Sequence, residues 1–176
     1  WAGVAATPPE HLKGLRIGLL LDAGCGLAVE PEVRAAVEAA AHAFEAAGAH
    51  VIPMRPFFTR EMLAGLDHFW RMRSRIDLQT LPPAQRAKLL PFIRQWVEAG
   101  ARASTAELFR GFSQIAALRD AAVAACQPFD FVLSPVMPTT AFLHDHRPFG
   151  ERSIDVDGQR VEYFAQTFWA GLAGVS

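Results

Sequence analysis

Phe129-Asp130-Phe131-Val132-Leu133-Ser134-Pro135-Val136-Met137-Pro138-Thr139-Thr140 is the stretch that decides how this chain is read. An apolar run, Phe129 to Leu133, feeds a polar loop punctuated by Pro135 and Pro138. Strands buried on both faces read as continuous aromatic and β-branched runs, and in α/β sheets ligands sit beyond the carboxyl ends of such strands. The stretch therefore predicts an α/β fold and places the functional surface on the loop that begins at Ser134.

Working upstream, an Ala-rich helix is expected from Thr105 to Cys126, capped by Ser104 with Glu107 as its capping-box partner. Leu15 to Leu21 reads as a buried strand between Pro8-Pro9 and the Gly24-Cys25-Gly26 loop. Glu30-Pro31-Glu32 opens a helix through about residue 47, where Gly48 supplies the stop, and Val33, Val37, Ala40, Ala41 and Phe44 share one face. Ala49 to Met54 reads as the next strand, which completes a βαβ unit with a right-handed crossover and a parallel pair. Residues 59–79 and 84–100 are helical by period, with Leu81-Pro82-Pro83 between them. Downstream, Ile154 to Val161 alternates around Asp157-Gly158 as a small hairpin, and 162–172 is expected to be helical. The strands at 15–21, 49–54 and 129–133 are expected in one mixed sheet with flanking helices, the first two parallel and the 31–47 helix on one face.

Composition limits the function classes. At 176 residues, 51% hydrophobic and 20% charged, the chain can bury a sizeable core as one domain or a large piece of one. Seventeen basic against 18 acidic residues give a net charge of −1, and the densest basic run, Arg71-Met72-Arg73-Ser74-Arg75, reads as a solvated helix face; no nucleic-acid partner is expected. The two cysteines, Cys25 and Cys126, lack metal-ligand spacing, so a reducing cytoplasm fits better than export. No stretch of membrane-spanning length is free of charge or Pro, and the start lacks a leader pattern. The missing initiator Met and the apolar end, Gly171 to Ser176, are read as marks of an internal piece of a longer protein.

The chemical signals weigh towards bland readings. Gly24-Cys25-Gly26 follows a strand as a dinucleotide loop would, but the last Gly position of that pattern holds Val29 and no acidic residue closes the 49–54 strand, so no cofactor is expected. His144-Asp145-His146 offers alternating imidazoles without a third ligand at recognisable spacing, so no metal is expected. Glu30, Glu32 and Glu38 read as helix-dipole and surface residues, and Cys126, at the negative end of a helix, is a poor nucleophile. Ser113 lies inside a helix, Ser134 has no nearby Lys or His, and Lys13 and Lys88 sit in polar settings, so no complete catalytic set is found.

Three groups of residues together resemble one family. Leu12-Lys13-Gly14-Leu15-Arg16-Ile17-Gly18, followed by Pro31-Glu32-Val33 and an Ala-rich helix ending in Gly48-Ala49-His50-Val51, resembles the middle of an amidase signature family hydrolase. Phe129 to Phe142, with Phe-Asp, Ser-Pro, Pro138-Thr139 and Ala141-Phe142 in register, resembles that family's strand and substrate loop. Thr167 with Leu172-Ala173-Gly174 resembles the approach to its next core strand. The resemblance covers nearly the whole chain and implies a single piece of an amidase domain: a β-α-β unit over about 12–54, a helical insertion over about 59–100, and helix, strand and substrate loop over about 104–176.

The resemblance implies hydrolysis of a carboxylic amide by a Ser, cis-Ser, Lys triad. Those residues belong to a Gly/Ser-rich region N-terminal to everything present here, so no position of this chain inherits a catalytic role, and the isolated chain is expected to be inactive. What carries over is pocket wall: Ser134, Met137 and Thr139, Ile115 on the preceding helix, and the segment from Phe164 to Gly171. The glutamine-handling branch has an Arg at the position of Ile115 and an Asp at that of Phe164, and apolar side chains cannot replace those charge-assisted bonds. The implied substrate is thus a small, fairly apolar amide. Gly171 and Ser176 stand where the family usually has Asn and Pro. The other expected partner is the N-terminal part of the same protein, with a homodimer left open. A non-catalytic α/β binding or scaffold module is the alternative.

Overall fold

The computed structural model describes residues 12–147 and 151–163. Its element order is β1 (Arg16–Leu19), α1 (Pro31–Ala46), β2 (His50–Pro53), α2 (Arg60–Thr80), α3 (Pro83–Arg86), α4 (Pro91–Gly100), α5 (Thr105–Cys126), β3 (Phe131–Leu133), β4 (Ser153–Val156) and β5 (Gln159–Glu162). β1, β2 and β3 form one three-stranded sheet in the order β2-β1-β3. Both pairings are parallel, with Ile17 opposite Val51 on one side and Phe131 on the other. The antiparallel pairing among the described residues lies in a separate two-stranded ribbon, β4-β5, turned at Asp157 and Gly158, which both take positive φ. The helix expected over 162–172 lies almost wholly outside the described residues.

Proline sets most helix boundaries. A residue before proline is pushed out of the helical region. Glu30, Leu81, Pro82 and Leu90, each followed by Pro, have ψ of 142°, 142°, 147° and 136°. This corrects the continuous helix expected over 84–100. It is two helices, α3 and α4, because Leu90 is forced extended and Pro91 starts afresh where its missing N–H costs nothing. α5 starts with the full capping box: Ser104 Oγ accepts from the Glu107 N–H, and the Glu107 carboxylate accepts from the Ser104 N–H at 2.7 Å. The Ser104 N–H and, at 2.8 Å, the Ser104 hydroxyl both donate to the Glu107 carboxyl and hold it below its ordinary range.

The core lies past the carboxyl ends of the strands. Leu20, Ala23, Cys25 and Val29 from the β1–α1 connection meet Phe58 from the β2–α2 connection and Leu118 from α5. Backbone bonds Met54 N–H to Leu19 O and Phe58 N–H to Ala23 O, both 2.9 Å, tie the two connections together. Gly24, at φ +107°, lets the first connection pass the second: a Cβ there would sit 2.8 Å from the Phe58 carbonyl oxygen. Positive φ and close packing of chain on chain therefore both call for glycine here.

The helical layer is knit separately. α2 and α5 approach at Gly65 and Gly111, where a Cβ on Gly65 would lie 2.9 Å from the Gly111 carbonyl oxygen. Arg71 joins α2 to α4: its guanidinium bonds Asp67 at 2.7 Å and the Trp96 carbonyl at 3.2 Å, and lies over the Trp96 ring. Arg73 lies over Trp70. The basic run is thus partly spent inside the fold. Among the described residues no helix is long and apolar enough to cross a membrane.

Candidate functional site

Two backbone clasps place the loop after β3. At the start of the strand, Asp130 N–H donates to Arg16 O and Arg16 N–H donates to the Asp130 carboxylate, both at 2.8 Å. At its end, Leu20 N–H donates to Leu133 O at 2.9 Å. β3 is therefore held against β1 at both ends, and the chain leaves it at Ser134, where the sheet's carboxyl edge faces the β1–α1 connection.

The loop has little capacity to order itself. Pro135 and Pro138 remove two of its N–H donors. Ser134 is half-buried, and its hydroxyl is aimed at the Pro135 carbonyl at 3.2 Å. Met137 is half-buried, while Thr139 is 8% exposed. The order comes from Glu30, whose N–H donates to Pro138 O at 2.8 Å and whose carboxylate accepts the Thr140 N–H at 3.1 Å. Glu30 stands at the N-cap of α1, as a helix-dipole residue would, but its side chain makes no capping bond to that helix and serves the loop instead.

A polar cleft of about 470 Å³ opens here, with Glu30, Thr139, Thr140, Phe142, His144 and Asp155 among its walls. Phe142 meets Tyr163 edge to face, which brings the residue just after β5 against the loop. The His144 and His146 rings lie 4.5 Å apart, and the intervening Asp145 is gripped by Arg147 at 2.6–3.1 Å, which draws its pKa down to about 2. Among the described residues no three His, Cys, Asp or Glu groups are placed to hold a metal ion together.

The expected wall residues are only partly brought together. Thr139 lines the cleft; Ser134 and Met137, on the same loop, are not among its lining residues. Ile115 is half-buried on α5, one turn beyond Phe112. Phe112 belongs to a different groove, of about 460 Å³, formed with Leu108 against Phe69, Met72 and Ile76 of α2. Phe164 and the segment to Gly171 lie outside the described residues. Glu30 and Asp130 were missed by sequence reasoning, because their partners are 110 and 114 positions away.

Neither cysteine nor Ser113 is set up as a nucleophile. Burial pushes the Cys25 thiol up, with Arg60 only partly offsetting it, and burial also pushes the Cys126 thiol up. Ser113 directs its hydroxyl to the Phe109 carbonyl at 2.9 Å.

A parallel sheet with a helical layer and a clasped loop at its carboxyl edge defines an α/β fold, with the loop at the edge where such sheets hold ligands. The chain belongs to the Amidase family, whose match runs over residues 3–175. Among solved structures it is similar to a bacterial aryl acylamidase of the amidase signature family, at TM-score 0.72 and 19% identity over 94% of this chain. It is similar also to a protein described as an amidase, at TM-score 0.73 and 18% identity over 93% of this chain, and to a chain of an inhibitor-bound vestigial protein complex described as revealing the origins of an s-triazine catabolic enzyme, at TM-score 0.62 and 21% identity over 94%. The chain spans 36%, 36% and 35% of those three proteins. No curated relative matches the sequence. At these identities the likeness is one of fold.

Proposed function

We propose that this chain is a section of an amidohydrolase that cleaves a carboxylic amide by a Ser, cis-Ser, Lys mechanism. The triad lies in an N-terminal part of the same protein, and this section supplies sheet core and pocket wall. The family match over residues 3–175 carries the reading. The open sheet supports it: Phe131 is 62% exposed, and Val132 and Ile52 are 38% and 36% exposed, on a parallel sheet, a type that is normally covered on both faces. The remainder of the protein covers these side chains and brings the nucleophile to the carboxyl edge. The setting is a reducing cytoplasm, in which Cys25 and Cys126 stay unpaired, as they are in the structure.

In this reading Ser134, Met137 and Thr139 form one wall of the acyl pocket, and Ile115 and Phe164 make it apolar. A substrate with an aromatic or aliphatic acyl group then outcompetes glutamine or asparagine, whose charged ends find no partner there. Burying one added apolar group is worth roughly 1.5–3 kcal/mol, about ten- to a hundredfold in kcat/KM. That an aryl acylamidase is among the similar structures accords with this substrate class. The test is a kinetic comparison of matched primary amides with the full-length protein and its Phe164→Asp variant. The variant should lose turnover of apolar amides through an unpaired charge in the pocket. Preference of the unaltered protein for glutamine would sink the assignment.

A further inference from the structure

The N-cap position of a helix ordinarily spends its side chain on the helix's own first turn. Glu30, the N-cap of α1, does not. Its carbonyl accepts the Arg34 N–H at 3.0 Å, which starts the helix in the usual way, while its two other polar groups leave the helix altogether. The backbone N–H reaches Pro138 O at 2.8 Å and the carboxylate reaches the Thr140 N–H at 3.1 Å. These bonds fall on either side of Thr139, the buried polar residue of the loop. Pro31 follows immediately and fixes the geometry: it holds Glu30 extended, at ψ 142°, so that N–H and side chain project away from the helix that the carbonyl begins.

With prolines at 135 and 138, the loop cannot build a ladder of its own, so the direction in which Thr139 faces is referred to α1. We propose that Glu30 is the positioning residue of the substrate loop, gripping it on both sides of Thr139 and so setting the wall that the acyl group meets. This rests on the loop's role in the proposed amidase site. Glu30 needs no contact with substrate, and its effect passes through Thr139 and Thr140. A neutral acceptor of the same length can replace the carboxylate, because the bond it accepts comes from an uncharged N–H.

The experiment uses the full-length protein, E30A and E30Q, with two readouts. The first is amide hydrogen exchange at Thr140. E30A should raise it about tenfold or more while β1 and the body of α1 keep their protection, and E30Q should stay close to the unaltered protein. The second is steady-state hydrolysis of an aryl amide. E30A should lose about ten- to a hundredfold in kcat/KM, chiefly through KM, because a displaced wall weakens ground and transition states alike, and E30Q should recover it to within about threefold. A residue that merely stabilised the fold would lower the melting temperature and leave KM unmoved. Unchanged exchange at Thr140 in E30A would overturn the clasp, whatever the enzyme does. Faster exchange with unchanged kcat/KM would overturn the positioning role. Faster exchange in a protein that hydrolyses no amide would leave the clasp standing and overturn both that role and the amidase reading.

Discussion

The α2/α5 pair and the three-stranded sheet differ in how closely their backbones are covered. The two helices meet backbone to backbone at Gly65 and Gly111, with no space for a Cβ on Gly65, and both glycines are buried. The sheet has two edge strands of exposed or half-exposed pattern, and one large aromatic, Phe131, stands mostly in solvent. A parallel sheet is stable when both faces are covered, whereas a helix pair needs only its facing stripes. The sheet thus leaves an unfinished surface next to the loop that carries the candidate pocket, while the apolar side chains left open on the helix pair, Phe109, Phe112 and Ile76, lie away from the Gly65–Gly111 seam.

The largest expected effect would break that comparison. Phe131→Ala in the full-length protein should cost about 3–5 kcal/mol, the usual range for a buried Phe, whereas in the 176-residue chain the same change should stay within about 0.5 kcal/mol. Urea denaturation of the four proteins measures both numbers. A small loss in each would mean that nothing covers the sheet.

A smaller effect compares one glycine from each region. A Cβ at Gly65 would lie 2.5 Å from Gln114 Cβ and 2.9 Å from a backbone oxygen, while at Gly18 the obstacles are the Met54 sulfur at 2.5 Å and a Phe129 ring carbon at 2.9 Å. Backbone cannot yield and a methionine can. Gly65→Ala should therefore lose about 1–3 kcal/mol even though alanine favours the helix by up to about 1 kcal/mol, and Gly18→Ala should lose less. Thermal melts would show the reverse order if the sheet were the tighter region. Ser104→Ala, which opens the capping box of α5, should cost about 1 kcal/mol, with Glu107→Gln milder because an acceptor remains.

The smallest effect is a titration. Asp145, half-buried and bonded to Arg147, has its pKa lowered from 3.8 to about 2. Because the folded value lies below the ordinary one, this contact is fully present above about pH 4 and is lost as the pH falls towards 2. Carboxyl-carbon NMR should find the low midpoint, and Arg147→Ala should return it towards the ordinary value. An unshifted midpoint in the unaltered protein would refute the pair.

Legibility followed the range of the interactions. The βαβ unit could be read because Pro31, Gly48 and two apolar runs are local signals, and α5 could be read end to end because Ser104 and Glu107 are three residues apart. The break between α3 and α4 was hidden by an apolar period that runs on through Leu89, Leu90, Ile93 and Val97, which outweighed Pro91 in the reading. The loop was located, since an apolar run into prolines is also local. Its support was not: Glu30 looks like any acidic residue before a helix, and only the fold brings Thr140 to it. Gly65 and Gly111 gave no signal either, because glycine adds nothing to a hydrophobic period.

The central claim is that this section completes an amidase pocket whose chemistry lies elsewhere in the protein. Its most direct test is turnover of an aryl amide by the purified full-length protein and by the 176-residue chain, side by side at equal concentration. The account predicts hydrolysis by the first and background by the second. Hydrolysis by the 176-residue chain that vanishes on Ser134→Ala would contradict it.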